Sequence, residues 1–193
     1  MAKVRQPEPV KLTMSMISAE ETLFTQVEER MTQRWGQIDF RSQVLAFQHT
    51  SYYEKEMGPK LKRKLLSFES LIDPGKIIQV KLFTNELEEE FLYPDSSRRR
   101  LNLDPGYISL SKLVLATTKD YEHRIYLGRG IYAEITLRYK RGRGFQPWEV
   151  TYPDYRSTEY LEIFTYLRQI YHGQLGKEKS SQTKKDRCLS PKT

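Results

Sequence analysis

Between Thr117 and Glu134 the sequence TTKDYEHRIYLGRGIYAE gathers Lys119, Arg124, Tyr126, Tyr132 and Glu134. Their chemistry is complementary. A guanidinium and an ammonium neutralise phosphate oxygens. Phenols stack or hydrogen-bond, and a carboxylate holds a metal or moves a proton. Just upstream, Asn102 and Asp104 in NLDPG, with Lys112 beyond, add an amide, a second carboxylate and another cation. These eight residues form the candidate ligand-binding set. The chemistry expected of them is capture of a phosphorylated small molecule such as a nucleotide, with Mg²⁺ brought by its phosphate. The competing reading of the same residues is a solvated sheet face with one cross-strand ion pair.

Spacing says how such a set would be held. Ile125 and Leu127 alternate with Arg124 and Tyr126. After Gly128-Arg129-Gly130, the residues Ile131, Ala133, Ile135 and Leu137 alternate with Tyr132, Glu134, Thr136 and Arg138. Two segments of period two around a glycine-rich reversal predict a β-hairpin. A three-residue loop pairs Leu127 with Ile131, Tyr126 with Tyr132, Ile125 with Ala133 and Arg124 with Glu134. The aliphatic face then turns to the core and the Arg–Tyr–Tyr–Glu face outward, whereas a one-residue slip mixes the faces. His123 falls beside Ile125 on the aliphatic face, where a satisfied core histidine is a more economical reading than a catalytic base.

Around the hairpin the remaining elements follow from pattern. Val10–Ser18 alternates as a strand. Ser18 and Glu21 make a capping box for a helix near Ala19 that Gly36 closes, and Ile38–Phe47 reads as a second strand. Asp73 caps a helix with Pro74 in its first turn, and Ile77, Val80, Thr84, Leu87 and Phe91 lie along one side. A strand through KIIQVKLF competes with it. Arg99–Leu103 reads as a short strand stopped by an Asp-Pro-Gly turn. SLSKLVLATT is read as a helix capped by Ser109, with a strand as the alternative. A last helix starts at Ser157 or Thr158 and ends at Gly173.

The expected fold is one α+β domain over residues 10–175, a mostly antiparallel sheet with helices packed on one face. Residues 1–9 read as a flexible N-terminus and 176–193 as a disordered basic tail. Of the formal charge of +7, the tail contributes six basic and two acidic residues. The other 175 residues carry 26 basic and 23 acidic side chains and are close to balance. That distribution makes nucleic acid the weaker partner reading. An RNA- or DNA-binding accessory module would use the tail with PKLKRK and SRRR, and a protein-interaction scaffold would use exposed tyrosines. No apolar run reaches the ~20 residues of a membrane span. The N-terminus lacks a secretory core, and cytoplasmic placement follows as the default. One cysteine, Cys188, and three scattered histidines, His49, His123 and His172, leave no disulfide and no zinc set. Walker, dinucleotide and nucleophile-elbow signatures are absent.

The segments EMGPKLKRKLLSFESLIDP, KLFTNELE, NLDPGYISLSKLVLATTKDYEHRIYLGRGIYAEITL and TYPDYRSTEY resemble a bacterial family known as domain of unknown function 4416. The resemblance runs from about Lys11 to Tyr171. Such sequences are sometimes labelled GTP-binding, and that is the most the resemblance implies about function. The family has no established catalytic residues to transfer.

Overall fold

The computed structural model describes residues 1, 3–48, 53–94 and 96–189, with side chains as far as Lys177. His49 lies outside the described residues, and Cys188 falls where only the backbone is described. The chain forms β1 (Val10–Ser18), α1 (Glu21–Trp35), β2 (Ile38–Arg41), β3 (Leu45–Ala46) and a one-turn helix α2 (Glu54–Met57). Next come β4 (Lys62–Ile72), α3 (Ile77–Glu90), β5 (Leu101–Ile108), β6 (Lys112–Thr117), β7 (Ile125–Gly128) and β8 (Ile131–Lys140). The last elements are β9 (Gly144–Pro147) and α4 (Thr158–Leu189).

One antiparallel sheet runs in the order β2-β4-β1-β5-β6-β8-β7, with β3 beside β4 and β9 beside β8. Because β4 is antiparallel to β1 and to β2, the β1-α1-β2 connection joins parallel strands with β4 inserted between them. The β4-α3-β5 connection does the same around β1. These two interleaved split βαβ units make a ferredoxin-like half, and β6 to β9 extend it from the β5 edge. The α+β class and the antiparallel sheet are as expected.

The helices, however, cover both faces. Leu12, Met14 and Met16 of β1 pack with Leu23, Phe24 and Val27 of α1 and Val80 and Leu87 of α3. On the other face Leu65, Leu113 and Leu115 pack with Phe164, Leu167 and Tyr171 of α4. All nine residues of β1 are therefore buried. Its one charged member, Lys11, is satisfied on the α4 side, where Nζ donates to Asp39 at 2.5 Å, Phe68 O at 3.0 Å and Gln174 Oε1 at 3.1 Å.

Three local readings need correction. Ser109–Thr118 holds a strand, β6, not a helix, because Leu113 and Leu115 are required on one face and Val114 and Ala116 on the other. The segment Ile38–Phe47 divides into β2 and β3, both paired with β4. The Asp-Pro-Gly triplet is not a turn, since β5 passes straight through it, with Asp104, Pro105 and Gly106 opposite Ser15, Met14 and Thr13. At its C-terminal end α4 continues past Gly173 as helical backbone to Leu189, through the stretch whose composition predicts an unfolded tail. Lys, Glu, Gln and Arg there are all good helix formers.

Asp73 does behave as read. Its Oδ1 accepts from Gly75 N at 2.8 Å, and a 3-10 turn with Pro74 leads into α3.

Candidate functional site

The sheet opens between β5 and β6. Their ladder runs only from Ile108↔Leu113 to Gly106↔Leu115. Beyond it Leu103 has lost its strand partner on that side. Its N–H donates instead to Glu88 Oε1 at 2.7 Å, and its C=O accepts from Lys81 Nζ at 2.8 Å. Pro105, two residues on, directs its missing N–H the same way, so a proline is tolerated within a central strand. Gly106 marks where the strands close up again. A Cβ there would stand 2.4 Å from Val114 O and 2.7 Å from Leu115 Cδ2.

On the α4 face this opening becomes a cavity of about 450 Å³. Its floor is Asp104, Leu115 and Thr117. Arg63 of β4, Phe47, Tyr53 and the Tyr152–Tyr155 segment wall one part, and Lys119, Arg124 and Glu134 the rest.

The hairpin brings its charges here because its faces are the reverse of those expected. Glu134 sits opposite Leu115 and is 5% exposed. By contrast Ile125 is 69% and Ile135 42% exposed. The aliphatic face lies on the α1/α3 side of the sheet, where only Ile131 reaches the core. A β-bulge then separates neighbours that strict alternation would keep together. Leu113 pairs with Leu137 but Val114 with Ile135, so Thr136 is the extra residue and Leu137 swings to the α4 core.

The turn also differs. Tyr126↔Tyr132 and Ile125↔Ala133 are paired as expected, but Gly128, not Leu127, is opposite Ile131. Arg129 and Gly130 have φ of 56° and 76°, the two positive values of a type I′ turn.

Glu134 is the hub of the charged wall. Its Oε2 accepts from Arg124 Nε at 2.9 Å and lies 3.2 Å from His123 Nε2, while its Oε1 accepts from Thr136 Oγ1 at 3.1 Å. Arg124 is fixed at three corners, since Nη1 donates to Lys119 O at 3.1 Å and Nη2 to the Tyr152 hydroxyl at 2.6 Å. Burial opposes the Arg124 charge, but Glu134 and Tyr152 outweigh it and raise its pKa. The Tyr152 phenol is raised too, by burial first and then by Glu134. His123 is half-buried against this carboxylate rather than enclosed in the core, with no partner at Nδ1.

Of the eight sequence-selected residues, Asp104, Lys119, Arg124 and Glu134 line the cavity. Asn102 stands behind it, linking Arg99 to Asp104. Arg99 Nη1 donates to Asn102 Oδ1 at 3.0 Å, and Asn102 Nδ2 donates to Asp104 Oδ2 at 2.8 Å. Tyr126 and Tyr132 share the Glu134 face of the hairpin, with ring centroids 5.2 Å apart, but lie beyond the cavity. Lys112 lines a separate groove on the opposite face with Ile125 and Val150.

Sequence reading missed Arg63, Phe47, Tyr53, Asp154 and Tyr155. The nearest signal was PKLKRK, whose alternation sends Arg63 to the cavity face between two lysines that turn to α1 on the other face. The basic clusters are engaged within the fold. Lys62 pairs with Glu21, Lys64 with Glu28, Arg63 with Asp154, Arg99 with Glu56 and Arg100 with Glu20.

Among the described residues no group of three or more His, Cys, Asp or Glu side chains gathers to hold a metal. Glu134 is committed to Arg124, which leaves Asp104 as the one sequence-selected carboxylate suited to a phosphate-bound Mg²⁺. No described helix is long and apolar enough to cross a membrane.

No curated protein and no solved structure matches the chain. The model of one family, described as a domain of unknown function (DUF4416), matches residues 8–171, from just before β1 to the middle of α4, and the chain belongs to that family.

Proposed function

We propose that the protein binds a small phosphorylated ligand carrying a planar ring, a nucleotide or close analogue, in the cavity at the β5–β6 opening. The observation that carries this reading is the meeting of Lys119, Arg124 and the Asp104 carboxylate with the rings of Phe47, Tyr53 and Tyr155 in about 450 Å³. Pockets of this size and mixed character suit drug-sized molecules.

Charge narrows the choice. The cations Arg63, Lys119 and Arg124 face the anions Asp104, Glu134 and Asp154, so the lining is balanced. A monophosphate suits such a site better than a triphosphate, whose extra charges would meet carboxylates at short range. Mg²⁺ on the phosphate, with Asp104 as one oxygen ligand, would reduce that penalty.

Calorimetry with nucleoside mono-, di- and triphosphates, with and without Mg²⁺, tests the reading. Binding of monophosphates, weakened about tenfold by Lys119→Ala, is the expected result. Absence of heat with every compound ends it.

A further inference from the structure

Arg63 lies deep in the cavity wall, 3% exposed, on β4. A guanidinium has five N–H donors. Among the described residues the Asp154 carboxylate accepts from Nη1 and the Tyr160 hydroxyl lies close by, but the buried Nε has no acceptor. The rings of Phe47, Tyr155 and Tyr160 surround the group at 4.5, 5.4 and 5.6 Å from their centroids. A desolvated cation normally satisfies its donors. The unmet ones here call for acceptor atoms that the described residues do not supply.

The neighbouring charges decide what kind of acceptor. Asp154 contacts Arg63 and Asp104 also acts on it, so a phosphate placed here would face two carboxylates. An uncharged acceptor meets no such repulsion, and the flanking rings favour a flat one. Position agrees. From β4 to β7, which Arg124 immediately precedes, the sheet takes five strand steps, roughly 24 Å between backbones. Arg63 and Arg124, both long and both directed into the cavity, therefore address different parts of one small molecule.

We propose that Arg63 reads the oxo group of an uncharged planar heterocycle, while Lys119 and Arg124 hold the phosphate of the same ligand. The inference rests on the phosphorylated-ligand reading and specifies its ring. An oxo-substituted base presents only acceptors at this edge, whereas an amino-substituted one turns a donor against a group that can only donate.

The test compares inosine with adenosine 5′-monophosphate and uridine with cytidine 5′-monophosphate, pairs that differ in an oxo against an amino substituent. Ribose 5-phosphate serves as the phosphate-only control. In the wild-type protein the oxo member of each pair should bind about tenfold tighter. In Arg63→Gln, whose amide both donates and accepts, that preference should vanish while ribose 5-phosphate binds as before. Equal affinities within the wild-type pairs overturn the inference, as does a preference that survives Arg63→Gln. Should Arg63→Gln fail to fold by circular dichroism, the wild-type comparison decides. Binding of ribose 5-phosphate without base preference would leave the phosphate reading standing, and no binding by any compound would remove both.

Discussion

Arg124 and Glu134 stand at the mouth of the hairpin with Nε and Oε2 2.9 Å apart and only 6% and 4% of their side chains exposed. Each is the other's counter-charge, since Lys119 O and the Tyr152 hydroxyl, the other acceptors of Arg124, are neutral. Removing one partner of a buried pair leaves the other desolvated and uncompensated. Glu134→Ala should therefore lower stability by about 3 kcal/mol, and Glu134→Gln by less because it keeps acceptors for Arg124 and Thr136. Urea denaturation of the two variants checks this ordering.

The aliphatic face of the hairpin leads to the opposite expectation. Ile125 and Ile135 look like core residues by pattern, yet both are exposed. Substituting either by Thr retains β-branching and removes little buried surface. Each change should cost no more than about 0.5 kcal/mol, read from the same denaturation curves. A loss of several kcal/mol would mean that this face is covered.

At the β5–β6 junction the contacts at Gly106 are with backbone and with a buried leucine, neither of which can move aside cheaply. Gly106→Ala should destabilise by about 2–3 kcal/mol through overpacking. Because the cavity begins where this close approach ends, ligand affinity in the folded fraction should fall as well. Thermal unfolding and calorimetry on one preparation would measure both.

Alkaline pH should unfold the protein through its tyrosines. Burial, first among the causes, raises the phenols of Tyr53, Tyr152, Tyr155 and Tyr160, that of Tyr160 to about 12. In the unfolded chain these groups release protons near pH ~10, while the folded state still holds them. Their contribution is complete below that pH and is lost as pH rises towards the folded values. Tyr155→Phe should flatten the loss by about 1.4 kcal/mol per pH unit just above pH ~10, followed by phenolate absorbance together with circular dichroism.

Period and capping alone were enough to specify β1, α3 and the hairpin, because each depends on contacts a few residues apart. Alternation from Val10 to Ser18, Asp73 ahead of Pro74, and Tyr126 opposite Tyr132 are all local matters. The pairing of Arg124 with Glu134 was legible for the same reason: once a chain reverses near two glycines, the polar residues on either side must meet.

Tertiary structure decided which side of that hairpin is inside. Aliphatic alternation identifies a face but not its cover, and the α1/α3 core reaches the hairpin only at Ile131, so Ile125 and Ile135 stay in water. The opposite face meets Phe47, Tyr53, Arg63 and Tyr155, which are contributed by segments 60 or more residues before the hairpin and 15 after it. The Asp-Pro-Gly strand shows the same limit. Locally these residues make a turn, but β1 on one side and the Lys81 and Glu88 side chains on the other satisfy a straight backbone there. A cavity bounded by residues so far apart has no periodic signature, since its geometry comes from where sheet and helices stop covering one another.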